Sequence, residues 1–218
     1  MALATWWKND PIPGLKLLPD LTVERAADDT ELAQLNRVSL EELHTRRSNG
    51  HVPYIAYLAG IPAAYGWVAT QAASIGELGL NFVVPDRDSY LWDFATHPRW
   101  QGRGLYPRLL QAIIQHESDG TERFWIIHAP ENLPSGAGMG KAGFKAVGQL
   151  AFLSEGRVGL APLEASDRVQ IGAALLGVPL VEDDLSPCWR CMEELICTCR
   201  LSPDDCTCAT PVWHSTLD

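Results

Sequence analysis

Apolar and polar positions alternate along the chain in two rhythms. Leu21-Thr22-Val23-Glu24-Arg25-Ala26 has a two-residue period and predicts a short strand. Asp28-Asp29-Thr30 then offers a helix N-cap. Leu32, Leu35, Val38, Leu40 and Leu43 follow at helical spacing, which predicts one helix ending near Asn49-Gly50. Two apolar, aromatic-rich runs, 52–58 and 61–70, flank Ala59-Gly60 and read as a hairpin. A further strand is expected over 77–84, turned by Pro85-Asp86-Arg87-Asp88 into another over 89–96. After His97-Pro98 come a glycine-containing loop and a helix over 106–117, whose buried stripe is Leu109, Leu110, Ile113 and Ile114. Phe124-Trp125-Ile126-Ile127-His128 is a compact strand of the kind covered on both faces. A short glycine-rich helix over 132–142 and a strand over 145–153 follow. A weak strand over 157–160 and a helix over 163–176 come last.

Strands and helices in alternation, with an early hairpin, predict an α/β or α+β fold: a twisted sheet flanked by helices. Residues 1–20, with Trp6, Trp7 and three prolines, read as an irregular N-terminal arm. The main domain is expected over 21–154, a connecting strand and helix over 155–184, and a separate tail over 185–218.

Composition changes this picture in two places. The 218 residues carry 17 basic and 27 acidic side chains, a net charge of −10. That argues against a nucleic-acid surface or an anionic membrane as partner. No stretch of 18 uncharged apolar residues exists, and the first residues do not read as a secretory leader, so a cytoplasmic location is expected. The tail stands apart. From Val181 onward there are eight acids and two bases, so −6 of the −10 lies there, together with all six cysteines.

The most informative stretch runs from Tyr90 to Leu110. A strand ends at a proline, a loop holds Gly102 and Gly104, and a helix begins at once, with Pro107 in its first turn. Glycines let main-chain amides converge, and the helix start adds unpaired donors and partial positive charge. This is an anion cradle suited to a pyrophosphate, within reach of Arg99 and Arg103.

Gln101-Gly102-Arg103-Gly104-Leu105-Tyr106 resembles the Gln/Arg-x-x-Gly-x-Gly/Ala loop of the GNAT superfamily of N-acetyltransferases, with Tyr106 where Gly or Ala is usual. Downstream, Asn132-x-x-Ser135-x-x-x-Met139-x-x-x-Gly143-Phe144 is similar to a second segment of that superfamily, with Met139 at its tyrosine position. The resemblance covers about residues 21–154. It implies a GNAT-like, mixed, mostly antiparallel sheet and an acetyl-CoA-dependent transfer of an acetyl group to the amine of a small molecule or peptide. It implies that Phe94 and Thr96 lie beside the pantetheine arm. Gln101, Gly102, Arg103, Gly104, Leu105 and Tyr106 would hold the phosphates, and Asn132 and Ser135 would line the arm. Met139 cannot donate a proton, and a non-catalytic GNAT-like sensor is the rival reading.

For chemistry, Asp93 and Glu77 are the candidate bases and Tyr106, Tyr90 and Ser135 the candidate acids. By simple alternation, Asp93 shares a strand face with Leu91 and Ala95, opposite Trp92, Phe94 and Thr96. His97 and His128 read as surface and core histidines. An aromatic set of Tyr54, Tyr57, Tyr65, Trp67 and Trp92 in an acidic protein suits a cationic or hydrophobic amine.

The tail reads Cys188-x2-Cys191-x5-Cys197-x-Cys199-x6-Cys206-x-Cys208. Cys-x2-Cys lets two thiolates reach one tetrahedral ion, and so short a segment needs a cross-link or metal to fold. Zinc is the ion expected to be held by these six thiols, with an iron–sulfur cluster or disulfides as alternatives. Such an appendage would serve stability, homodimerisation or partner docking.

Overall fold

A computed structural model describes residues 1–153 and 156–181. The expected metal ligands Cys188, Cys191, Cys197, Cys199, Cys206 and Cys208 lie outside the described residues. No described helix is long and apolar enough to cross a membrane.

The strands are β1 (Ala2–Trp7), β2 (Leu21–Arg25), β3 (His51–Leu58), β4 (Ile61–Ala69), β5 (Ala72–Ile75), β6 (Leu80–Val83), β7 (Asp88–Thr96), β8 (Arg123–His128), β9 (Lys145–Phe152) and β10 (Val158–Pro162). Eight form one sheet in the order β10-β9-β1-β8-β7-β4-β3-β2, and β5 pairs only with β6. Within the large sheet every pair is antiparallel except β7 with β8. The helices are α1 (Asp29–Asn36), α2 (Leu40–Ser48), α3 (Leu105–Glu117), α4 (Leu133–Ala142) and α5 (Asp167–Leu176).

The sheet carries its helices on two faces. On one, Leu105, Leu109, Leu110, Ile113 and Ile114 of α3 and Met139 of α4 pack on Ala4, Trp6, Leu91, Phe124 and Ile126. On the other, α1 and α2 bury Leu32 and Leu43 against Ile55, Tyr65 and Trp67. On that second face, α5 and the β5–β6 hairpin cover Leu3, Tyr90 and Trp125.

Three expectations need correction. Residues 2–7 are not part of an irregular arm: they form β1, which lies between β8 and β9 in the sheet and is buried on both faces. A six-residue strand leaves too short a pattern to identify, and its partners lie more than a hundred residues away. The helix expected from Asp28 to Asn49 is two helices. Asp28 caps α1 by accepting from the Thr30 and Glu31 amides, Arg37 takes a left-handed conformation (φ 58°), and Ser39 caps α2 through the Glu42 amide. The strand expected over 77–84 begins only at Leu80, and Glu77 sits exposed in a short 3-10 turn between β5 and β6.

Candidate active site

Parallel pairing of β7 with β8 runs from Asp88↔Arg123 to Leu91↔Ile126 and then stops, although both strands continue. Past Leu91 the two strands splay. The main-chain groups on that side of residues 92–96 are left without a ladder partner there, while β7 still pairs with β4 through Ala95↔Tyr65 and Thr96↔Ala64.

A bulge sits at the splay. Trp92 pairs with Trp67 and Ala95 with Tyr65, so Asp93 and Phe94 together face the single residue Gly66. Asp93 has φ 49°, a left-handed conformation that a non-glycine residue adopts only with support. The extra residue shifts the alternation of side chains. Asp93 faces α1 and α2, where Arg46 touches both it and the Trp92 ring, while Phe94 joins the cluster of Leu91 under α3. Simple alternation had placed Asp93 with Leu91 and Phe94 with Trp92; the bulge reverses both.

On the α3 face the loop after β7 builds the cradle. Pro98–Trp100 make a 3-10 turn, and the Gln101 side chain donates to the Thr96 carbonyl at 3.1 Å, tying the loop to the strand end. Gly102 and Gly104 have φ 74° and 71°. Gly104 caps α3 with no side-chain bond, so the first amides, Leu105 and Tyr106, face outward from the helix start. Arg99 and Arg103 lie 5.0 and 4.9 Å from the centre of the Trp100 ring. These residues fit a diphosphate: glycine backbone, an uncapped helix and two cations at one place.

The wall of the splay is aromatic. The Phe94 ring packs directly on Gly66, where a Cβ would come within 2.0 Å of it. Tyr106 meets Phe94 edge to face at 5.5 Å, lies against Gly138 of α4, and its Oη accepts a 3.3 Å hydrogen bond from Ser135 Oγ. Burial raises the Tyr106 phenol, the Ser135 bond opposes this, and the result is about 12. The hydroxyl therefore keeps its proton at neutral pH. Asn132 caps α4, its Oδ1 accepting from the Ser135 amide at 3.1 Å. Met139 is buried in the core. His128 packs on Gly136 and bonds the Ala129 carbonyl at 2.8 Å; burial lowers its pKa and keeps the ring neutral.

The structure thus brings Phe94, Tyr106 and Ser135 together and joins Gln101 to Thr96. Glu77 enters none of these contacts; its charge adds to burial in raising the Tyr90 phenol at the start of β7. Asp93 binds Arg46 Nη1 at 2.5 Å, Asn36 Nδ2 at 3.3 Å and Tyr65 Oη at 3.3 Å. Arg46 and Asn36 were not singled out from the sequence. Each is an ordinary polar residue on an amphipathic helix, and no local spacing marks it. Among the described residues no group of three or more His, Cys, Asp or Glu side chains could hold a metal ion.

The sheet parts between two parallel strands and leaves a free strand edge beside a glycine loop and a helix start with no side-chain cap. The family model for the acetyltransferase (GNAT) domain matches residues 19–145, more than half of the chain, and the chain belongs to that family of acyltransferases. Similar solved structures include the ribosomal-protein-S18-alanine N-acetyltransferase of Escherichia coli, at 16% identity and TM-score 0.47 over 63% of this chain and 88% of that one. YncA, a putative acetyltransferase of Salmonella typhimurium solved with acetyl-CoA, matches at 16% and 0.47 over 61% and 83%. A GCN5-related N-acetyltransferase from Kribbella flavida matches at 12% and 0.45 over 66% of this chain, which spans only 53% of that relative. No curated protein matches.

Proposed function

We propose that this protein is an acetyl-CoA-dependent N-acetyltransferase acting on the amine of a small molecule or peptide. The observation that carries the reading is the splay of β7 from β8 beside the uncapped start of α3. Acetyl-CoA bound there would supply the activated acetyl group. The amides of Gly102, Arg103, Gly104, Leu105 and Tyr106, with the Arg103 and Arg99 guanidiniums, would hold its phosphates. The free edge of β7 from Phe94 to Thr96 would bind the arm and donate to the carbonyl, with Asn132 and Ser135 opposite. Tyr106, protonated and packed on the Phe94 ring, would hand a proton to the departing sulfur, a role that Met139 cannot fill.

Calorimetry with acetyl-CoA, followed by a scan of amines for release of free CoA thiol, tests the reading. A protein that binds no acetyl-CoA is not this enzyme. We further propose a cytoplasmic location and zinc held by the six cysteines of the tail, supported by the Cys188-x2-Cys191 spacing and the net acidity of that segment. Metal analysis of protein purified under reducing conditions decides the zinc.

A further inference from the structure

The bulge at Asp93 is held by a closed circuit of side chains from four elements, β4, α1, α2 and β7 itself. Trp67 Nε1 of β4 donates to Asn36 Oδ1 of α1 at 2.8 Å, and Asn36 Nδ2 donates to Asp93 Oδ2 at 3.3 Å. Arg46 Nη1 of α2 donates to the same oxygen at 2.5 Å. The Arg46 guanidinium lies against two neighbouring indoles, 5.1 Å from the Trp67 ring centre and 4.6 Å from that of Trp92, which closes the circuit. Glu42 fixes Arg46 Nε from its other side at 2.9 Å, and Tyr65 Oη donates to Asp93 Oδ1. The Arg46 side chain is only 14% exposed.

Such a circuit has a mechanical consequence. Asp93 occupies a left-handed conformation, and Asp and Asn are the residues that enter it most readily after glycine. Remove its tethers and the extended conformation is favoured again. The alternation of side chains would then shift by one residue from Asp93 to Thr96, which lifts the Phe94 ring off Gly66 and turns the 93–94 amides. Three acceptor directions of the carboxylate already serve this purpose.

We propose that Asp93 and Arg46 form a clamp that keeps the β7 bulge open, so that main-chain amides of the 93–94 segment face the splay and polarise the thioester carbonyl. Asp93 is in this account a positioning residue and not the base that deprotonates the amine. The proposal rests on the transferase reading for its chemistry, but the clamp itself belongs to the free protein.

Hydroxylamine is largely unprotonated at neutral pH, so its attack on acetyl-CoA needs carbonyl activation and no base. Asp93→Ala and Arg46→Met should each slow enzyme-catalysed release of CoA by hydroxylamine on the order of 10²-fold, the scale of losing an oxyanion donor. Asp93→Asn, which can hold the same backbone conformation and still accept from Arg46, should recover most of that loss. In protein free of acetyl-CoA, amide hydrogen exchange over residues 92–96 should speed up in the first two variants and not in Asp93→Asn. Should Asp93→Ala fail to fold, Arg46→Met and Asn36→Ala leave the bulge residue itself in place and carry the same comparison. Wild-type rates with hydroxylamine in Asp93→Ala and Arg46→Met would mean a base role and overturn the clamp. So would an Asp93→Asn as impaired as Asp93→Ala, or exchange unchanged in every variant. Wild-type protein that binds no acetyl-CoA sinks the transferase reading instead, and the exchange comparison still decides the clamp.

Discussion

The two faces of the splay are built by opposite means. On the α3–α4 side the groups that would meet a cofactor are mostly main-chain: glycines with positive φ, a helix start with no side-chain cap, and a free strand edge. Two of its side chains, Phe94 and Tyr106, are uncharged rings set into spaces left by Gly66 and Gly138. On the α1–α2 side the same bulge is held by charged and polar side chains, Asp93, Arg46, Asn36 and Glu42, packed among indoles. In the proposed transferase, backbone geometry would recognise what every substrate pair shares, the phosphates and thioester. Side chains on the opposite face set the shape of the bulge on which that grip would depend.

The comparison breaks most visibly at the glycines. Gly104→Val places a β-branched residue at φ 71°, with its Cβ 2.6 Å from an Arg108 guanidinium nitrogen. Calorimetry should show CoA affinity lowered by on the order of 10²-fold or more, about 3 kcal/mol, with the circular dichroism of the fold retained. Unchanged affinity would remove the phosphates from this loop. Gly66→Ala is next. Its added Cβ meets the Phe94 ring at 2.0 Å, so the ring or the strand must move. A loss of about 1–3 kcal/mol in denaturant unfolding is expected, with weaker acetyl-CoA binding alongside.

Smaller effects sharpen the division of labour. Tyr106→Phe keeps the ring and loses the proton. CoA affinity should hold within about twofold, while CoA release with the best amine found should slow roughly tenfold, below the usual range for an acid because a thiolate leaves readily. Since the phenol sits near 12, the wild-type rate should show no alkaline loss from this group at neutral or mildly basic pH. A tenfold weaker CoA affinity in the variant would make Tyr106 a binding wall only.

The smallest effect lies away from the splay. Burial alone would raise the Asp10 carboxyl, but bonds from Arg168, the Trp7 amide and Lys145 outweigh it and hold the pKa down to about 2. A lowered folded-state pKa gives stability that is present above the ordinary value of 3.8 and is lost as pH falls toward 2. Asp10→Asn should cost on the order of 1 kcal/mol at neutral pH after solvent screening and flatten the acid limb of the stability curve. A parallel acid limb in the variant would dismiss the Asp10–Arg168 pair as its source.

Much of the fold was readable because its signals are local. The Ala59-Gly60 hairpin, the α3 stripe and the strand that became β8 all appear where their patterns put them. So does the glycine loop, since strand end, turn and helix start follow one another within a dozen residues. The arm that proved to be β1 was missed because a strand is recognised by its partners, and those of Ala2–Trp7 lie in β8 and β9. The single helix expected after Asp28 failed at Arg37, where the apolar period continues across a break set by two caps. Asp93 was named for its charge and placed on the wrong face, because one bulged residue reverses every alternation argument beyond it.

Taken alone, the order of residues determined the class of fold, the glycine loop before α3 and the family, since each depends on groups close together in the chain. Tertiary structure decided where β7 and β8 part, which side chains meet at Asp93, and that Tyr106 reaches Ser135. These are contacts between segments tens of residues apart, whose distances come from packing the whole sheet and are written in no local pattern.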